Sequence, residues 1–138
     1  LRQFVGYGMK RAFNVLHGEL VETLKPFDLR MVTYSALVMI VENPGLRQYQ
    51  LADALEIERP NLVAIIDELE SRALVVRERI PTDRRSYALL PTAAGKQLCD
   101  KALKADAASE ARILATLDEK TKETLIEALA AIRSFRKT

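Results

Sequence analysis

The chain has 138 residues, 49% of them hydrophobic and 29% charged, with a formal net charge of +2. This suits one domain with a single core, and the balance of apolar and charged residues excludes a disordered or fibrous chain. No apolar run approaches the roughly 18 residues of a membrane span and no basic start precedes an apolar stretch, so neither a membrane segment nor a signal peptide is expected.

Residues 1–24 carry Phe4, Val5, Met9, Ala12, Phe13, Leu16, Leu20, Val21 and Leu24 at helical steps. The apolar stripe is wide for a first helix on a small domain, so part of it is expected to meet a second chain, the alternative being a helix packed wholly on its own core. Pro26 and Asp28 interrupt the pattern, and Asp28 is the expected N-cap of a second helix through Met31, Tyr34, Leu37, Val38 and Val41. That helix stops at Asn43-Pro44-Gly45. A short helix follows with Leu51, Ala52 and Leu55 facing inward.

From Pro60 to Arg72 the residues Leu62, Ile65, Ile66 and Leu69 form one apolar stripe, leaving Asn61, Ala64, Asp67 and Glu68 outward. Pro60 fits a first helical turn, where its missing N–H costs nothing. So few residues separate Leu55 from Pro60 that the two helices read as a helix-turn-helix, although the turn lacks glycine and many such pairs are merely structural. The pattern then becomes extended, with Val75, Val76 and Ile80 on one arm and Tyr87, Leu89 and Leu90 on the other. Between them Pro81–Ser86 reads as a turn tipped by Arg84 and Arg85. Thr92 is expected to cap a helix through Leu98, Ala102 and Ala105 toward Leu114. Asp118 caps a last one carrying Leu125, Ile126, Leu129, Ile132 and Phe135 and ending on Arg136-Lys137.

The expected fold is therefore mainly α with a small β-hairpin, a winged helix-turn-helix core flanked by long terminal helices. Such helices have little to bury themselves in alone, and a homodimer would supply the surface.

A helix followed by a basic hairpin suits a duplex, the helix in the major groove and the hairpin on the minor groove or backbone. Charge alone does not establish this: from Pro44 to Pro91 there are seven arginines against eight acids. Arrangement favours it, with five arginines between Arg72 and Arg85 opposed only by Glu78 and Asp83. At the helix start Arg59, Pro60, Asn61, Val63 and Ala64 are candidates for groove contacts. Asn61 could pair with adenine, Arg59 with guanine or a phosphate, and Val63 and Ala64 could meet thymine methyls. Arg59 could instead pair with Glu56 or Glu58. Gln48, Tyr49 and Gln50 open the preceding helix and could bind a phosphate or form a solvated cap.

The segments Leu69-Glu70-Ser71-Arg72-Ala73-Leu74-Val75, Arg77, Asp83-Arg84-Arg85 and Leu90-Pro91-Thr92-Ala93-Ala94-Gly95 together resemble the MarR family of bacterial winged-helix transcription regulators. The resemblance implies a winged core over about 28–91, dimerisation helices over about 1–24 and 92–138, and a homodimeric repressor or activator, the repressor being the favoured reading, on a pseudo-palindromic site in double-stranded DNA; the lone Cys99 suits a reducing cytoplasm. It also implies that one wing arginine enters the minor groove while Asp83 and the other arginine hold the wing by ion pairs; Arg84 is assigned to the groove and Arg85 to either role, the alternative being a freely solvated turn. A small-molecule effector, often an aromatic acid, would lie between the dimer helices and the core, with His17, Arg30, Met31 and Tyr34 as candidate lining residues. His17 on an apolar stretch could equally be a satisfied interface histidine. The family usually has glycine where Ala73 stands, so the preceding helix is expected to end differently.

Catalysis is not expected. The chain has one His, one Cys distant from it, no glycine-rich phosphate loop and no metal-binding spacing, so neither a metal nor a cofactor is implied. The single Cys99 argues against a disulfide framework, and its neighbours Leu98 and Ala102 point to inert packing. The competing reading is a winged helix used only for protein contacts.

Overall fold

Helix α4, Arg59–Ser71, presents Leu62, Ile65, Ile66 and Leu69 to the interior as a single buried stripe, with Pro60 in its first turn. In the computed structural model, which describes residues 1–135 and only the backbone of Arg84 and Arg85, this stripe packs on Ala36, Leu37 and Ile40 of α2 (Met31–Glu42) and on Leu51 and Ala52 of α3 (Gln48–Leu55). Val75 of β2 (Val75–Ile80), Leu89 of β3 (Asp83–Pro91) and Cys99 of α5 (Ala93–Ile113) close the same core. A second cluster, Leu24, Leu29, Tyr34 and Ala102, joins the end of α1 (Val5–Leu24) to α2 and α5. Helix α6 spans Glu119–Arg133.

The sheet has three antiparallel strands in the order β1-β3-β2, because a two-residue β1, Leu46–Arg47, pairs with Leu89 and Ala88 beside the expected hairpin. The wing turn is also tighter than the expected Pro81–Ser86. Strand β3 begins at Asp83, and the register shifts between Arg79 and Ile80, so that Arg79 faces Tyr87 while Ile80 faces Asp83. Pairing on both sides of Pro81-Thr82 satisfies backbone groups that a longer loop would leave to water.

Two cap expectations fail for identifiable reasons. Asp28 does not cap α2; it ends a short 3-10 turn, Lys25–Phe27, in the left-handed region with φ 52°. The cap position is Arg30, whose backbone N–H donates to Thr33 Oγ1 at 2.9 Å. Nor does α4 end differently for want of glycine. Ala73 adopts φ 57°, Ala73 N–H donates to Glu70 O at 2.9 Å, and Leu74 N–H donates to Leu69 O at 3.0 Å, the hydrogen-bond pattern of a glycine-type helix end.

The caps at Thr92 and Asp118 form as expected, accepting from Gly95 N at 3.0 Å and Thr121 N at 2.7 Å. Gly95 is required where it stands, since a Cβ there would collide with the Leu74 carbonyl oxygen. Arg136-Lys137, expected to end the last helix, lie outside the described residues.

Candidate nucleic-acid interface and adjoining cavity

The recognition-helix candidates lie together on one exposed tip. Glu58 is the residue before the first turn of α4, and Arg59, Pro60, Asn61, Val63 and Ala64 are all exposed. Among the described residues Arg59 forms no ion pair with Glu56 or Glu58. On α3, Tyr49 and Gln50 are exposed and Gln48 is half-buried. Two of these side chains already have work within the fold. Gln50 Oε1 accepts the Arg47 N–H at 2.9 Å, and Gln48 Oε1 accepts from Arg77 Nε at 3.3 Å, so in both the amide oxygen is engaged within the fold.

Arg77, which the sequence offers as part of the family resemblance and as one cation among five, is the organising residue. Its guanidinium, 17% exposed, donates to Asp67 Oδ1 at 2.6 Å and to Glu70 Oε1 at 2.9 Å, while its backbone N–H reaches Glu70 Oε2 at 3.2 Å. One side chain of the wing strand therefore holds both the recognition helix and, through Gln48, helix α3. The signal was present in the sequence: Asp67 and Glu70 lie three apart on one helix face, shortly before an arginine on an extended arm. Arg72 is likewise structural, donating to Asp28 O at 2.7 Å and Phe27 O at 3.1 Å. Of the five arginines grouped for DNA, these two brace the domain.

The acids of α4 are neutralised on its flanks. Asp67 and Glu70 go to Arg77, and Glu68 Oε2 accepts from Arg30 Nη2 at 2.6 Å. Their repulsion toward phosphates is thereby reduced, and the uncharged part of the tip stays open. In the wing, Ser86 Oγ donates to Asp83 Oδ2 at 2.8 Å. The backbone of Arg84 and Arg85 lies in β3 within the register shift; their side chains lie outside the described residues.

Three of the four candidate lining residues meet at a pair of cavities. A space of 560 Å³ is bounded by His17, Arg30 and Met31 together with Lys25 and Glu68. A second of 170 Å³ shares His17 and Met31 and continues toward Phe13, Asp106 and Glu110. Tyr34 stands behind this wall instead, 6% exposed, its hydroxyl donating to Asp106 Oδ2 at 2.7 Å. Burial first, then Asp106, pushes the phenol well above its ordinary range, so Tyr34 is a fixed donor that orients a cavity carboxylate. His17 stacks on Phe13 with centroids 5.2 Å apart, and its Nδ1 is buried without a hydrogen-bond partner. Among the described residues no group of His, Cys, Asp or Glu is arranged to hold a metal ion, and no helix is long and apolar enough to cross a membrane.

Residues 27–86 match the sequence profile of the MarR family. The solved structure of the transcriptional repressor CouR bound to a 23-mer DNA duplex is 35% identical, with a TM-score of 0.90 over 96% of this chain and 94% of that one. The chain belongs to the MarR family. A second MarR-like structure, CouR from Rhodococcus jostii RHA1 bound to p-coumaroyl-CoA, is 28% identical with a TM-score of 0.87 over 99% of this chain and 96% of that one. A transcriptional regulatory protein named for the hcr operon of Thauera aromatica is 37% identical over 93 residues, which is 67% of this chain and 56% of that protein. The chain thus spans little more than half the length of that relative. The profile match takes in α2, the helix-turn-helix and the wing, and the structural matches extend across the terminal helices that the MarR fold places around them.

Proposed function

We propose that this MarR-family chain is a sequence-specific double-stranded DNA-binding regulator, a repressor that works in the cytoplasm as a homodimer and is released by a small-molecule effector. No catalytic step is assigned to it. The observation that carries the DNA reading is the division of labour on α4: its acids are held by Arg77 and Arg30, while Arg59, Asn61, Val63 and Ala64 form an open tip of the size a major groove admits. Gln48, Tyr49 and Gln50 take phosphate beside that tip, and Arg84 and Arg85 bring the wing to the flanking groove, with Asp83 bracing it.

The dimer reading rests on α6, which buries no residue in its own chain although Leu125, Ile126, Leu129 and Ile132 line one stripe. Phe4, just before α1, and Val5, Met9 and Phe13 within it are exposed as well. Burying these faces between two copies, with 1–24 and 92–138 as the dimerising parts and about 28–91 as the reading core, sets two tips on one duplex about 34–36 Å apart. The effector is an aromatic acid or its coenzyme A thioester, held where His17, Arg30 and Met31 meet.

Binding to duplexes from the region upstream of the protein's own coding sequence, followed across a salt series, tests this reading. A steep negative slope and one preferred pseudo-palindromic site are expected. A flat slope with no site preference would leave a module for protein contacts.

A further inference from the structure

Taking the effector reading as its basis, the chemistry of the two joined cavities says which ligands fit and how occupancy reaches the recognition helix. The smaller space is apolar along Phe13, Leu16 and Leu20. The larger is bordered by the cations Lys25 and Arg30 and by the acids Asp28 and Glu68, so an anion entering it has to draw a cation away from an acid. His17 and Met31 line both spaces. Arg30 is not free: it holds Glu68 of α4, which borders the same cavity. Lys25 is engaged by Glu22 at 2.7 Å on the exposed side of α1.

We propose that the joined cavities take an amphipathic ligand whose compact apolar end lies against Phe13 and His17 and whose anionic end draws Arg30 away from Glu68, cutting a tether between the start of α2 and the recognition helix. Two arginines tie α4 to the α1–α2 connection. Arg72 binds carbonyl oxygens of Phe27 and Asp28, hydrogen bonds that a distant anion does not compete for. Arg30 binds a carboxylate, and a phosphate or carboxylate on the ligand replaces that partner directly. Occupancy therefore leaves the hinge at Arg72 and releases the restraint one turn earlier, freeing α4 to pivot and leaving an unpaired carboxylate on a helix that approaches phosphates. Both side chains are largely solvated, so the tether carries a modest share of the coupling.

The test uses p-coumaroyl-CoA and, as its uncharged counterpart, the p-coumaroyl thioester of N-acetylcysteamine. Their affinities for the wild-type chain, R30Q and E68Q are measured by calorimetry, and operator affinity is measured with and without saturating ligand. In the wild type the coenzyme A ester is expected to bind about tenfold tighter than the uncharged thioester, a preference lost in R30Q. In E68Q the coenzyme A ester is expected to bind about two- to fivefold tighter, and its effect on operator affinity to shrink, because the ligand no longer has a tether to break. Circular dichroism melts confirm that each variant is folded. Equal binding of the two thioesters by the wild type overturns the anionic end. Undiminished coupling in E68Q, with the ligand bound, overturns the tether and leaves the effector reading standing. Failure of both thioesters to bind the wild type removes this ligand class and the effector reading built on it.

Discussion

Ala73→Gly should stabilise the protein, although glycine is normally a destabilising choice. Ala73 sits at φ 57°, where an L side chain costs about 1–2 kcal/mol because Cβ crowds the following carbonyl. Glycine removes that cost and brings back about 0.5–1 kcal/mol of unfolded-state freedom, for a net gain of about 0.5–1 kcal/mol. The residue is exposed, so no packing is lost, and its carbonyl keeps the hydrogen bond from Thr92 Oγ1 at 2.6 Å. For 138 residues this corresponds to a rise in Tm of about 2–3 °C. Urea and thermal melts followed by circular dichroism, at one fixed protein concentration because a dimer's stability depends on it, read the effect. Ala73→Val should move the other way. An unchanged or lowered Tm in the glycine variant would refute the claim that α4 ends in a strained left-handed turn.

Gly95→Ala should be poorly tolerated, losing about 1–3 kcal/mol or more, because the new methyl meets backbone at Leu74 that no rotamer can move aside; a lowered urea midpoint reads it. Arg77→Ala strands Asp67 and Glu70 and unpins the wing, and should lower both Tm and operator affinity. Arg77→Lys should recover only part of either, since one ammonium cannot reproduce a fork that reaches Asp67, Glu70 and Gln48 together. Burial first, then the charges of Glu42 and Asp100, pushes the Cys99 thiol up, so it should stay unmodified by Ellman's reagent in the native state up to mildly alkaline pH and react at once in guanidinium. Arg84→Ala should weaken binding across many duplex sequences and flatten the salt slope, whereas Asn61→Ala should relax base preference; equal effects of both on every sequence would contradict that division, with fluorescence anisotropy as the measurement.

What was legible in the sequence is what local periodicity encodes. The stripe of Leu62, Ile65, Ile66 and Leu69 and the caps at Thr92 and Asp118 depend on residues within a turn or two of one another, and the structure has them where the spacing puts them. Strand β1 was not legible, because two residues carry no period and Leu46 is a strand only by virtue of Leu89 far along the chain. Asp28 misled for a related reason: acceptors at a chain break suit a cap or a left-handed turn equally, and Thr33 took the cap from inside the helix. At the candidate site, residue types were read correctly as polar or cationic, but whether a charge is spent inside the fold is a tertiary fact. Arg72 and Arg77 look like Arg79 in the sequence, yet two brace α4 while Arg79 is exposed.

That distinction changes the electrostatic argument for DNA. Arg72 and Arg77 hold α4, and Asp67, Glu68 and Glu70 are held by arginines, so part of the charge between Pro44 and Pro91 is spent inside the fold. Pro44 to Pro91 as a whole carries seven arginines against eight acids, so the reading core of one copy has no net positive charge with which to draw a polyanion. Attraction must come from where the cations stand: Arg59 leads α4, while Arg79, Arg84 and Arg85 belong to the two wing strands. Pairing two copies through the uncovered faces of α1 and α6 doubles those points along one duplex and multiplies the counterions released, without making either core basic. In the proposed homodimer, the exposed apolar stripe of α6 and the near-neutral reading core are thus two sides of one design, in which affinity is assembled by symmetry.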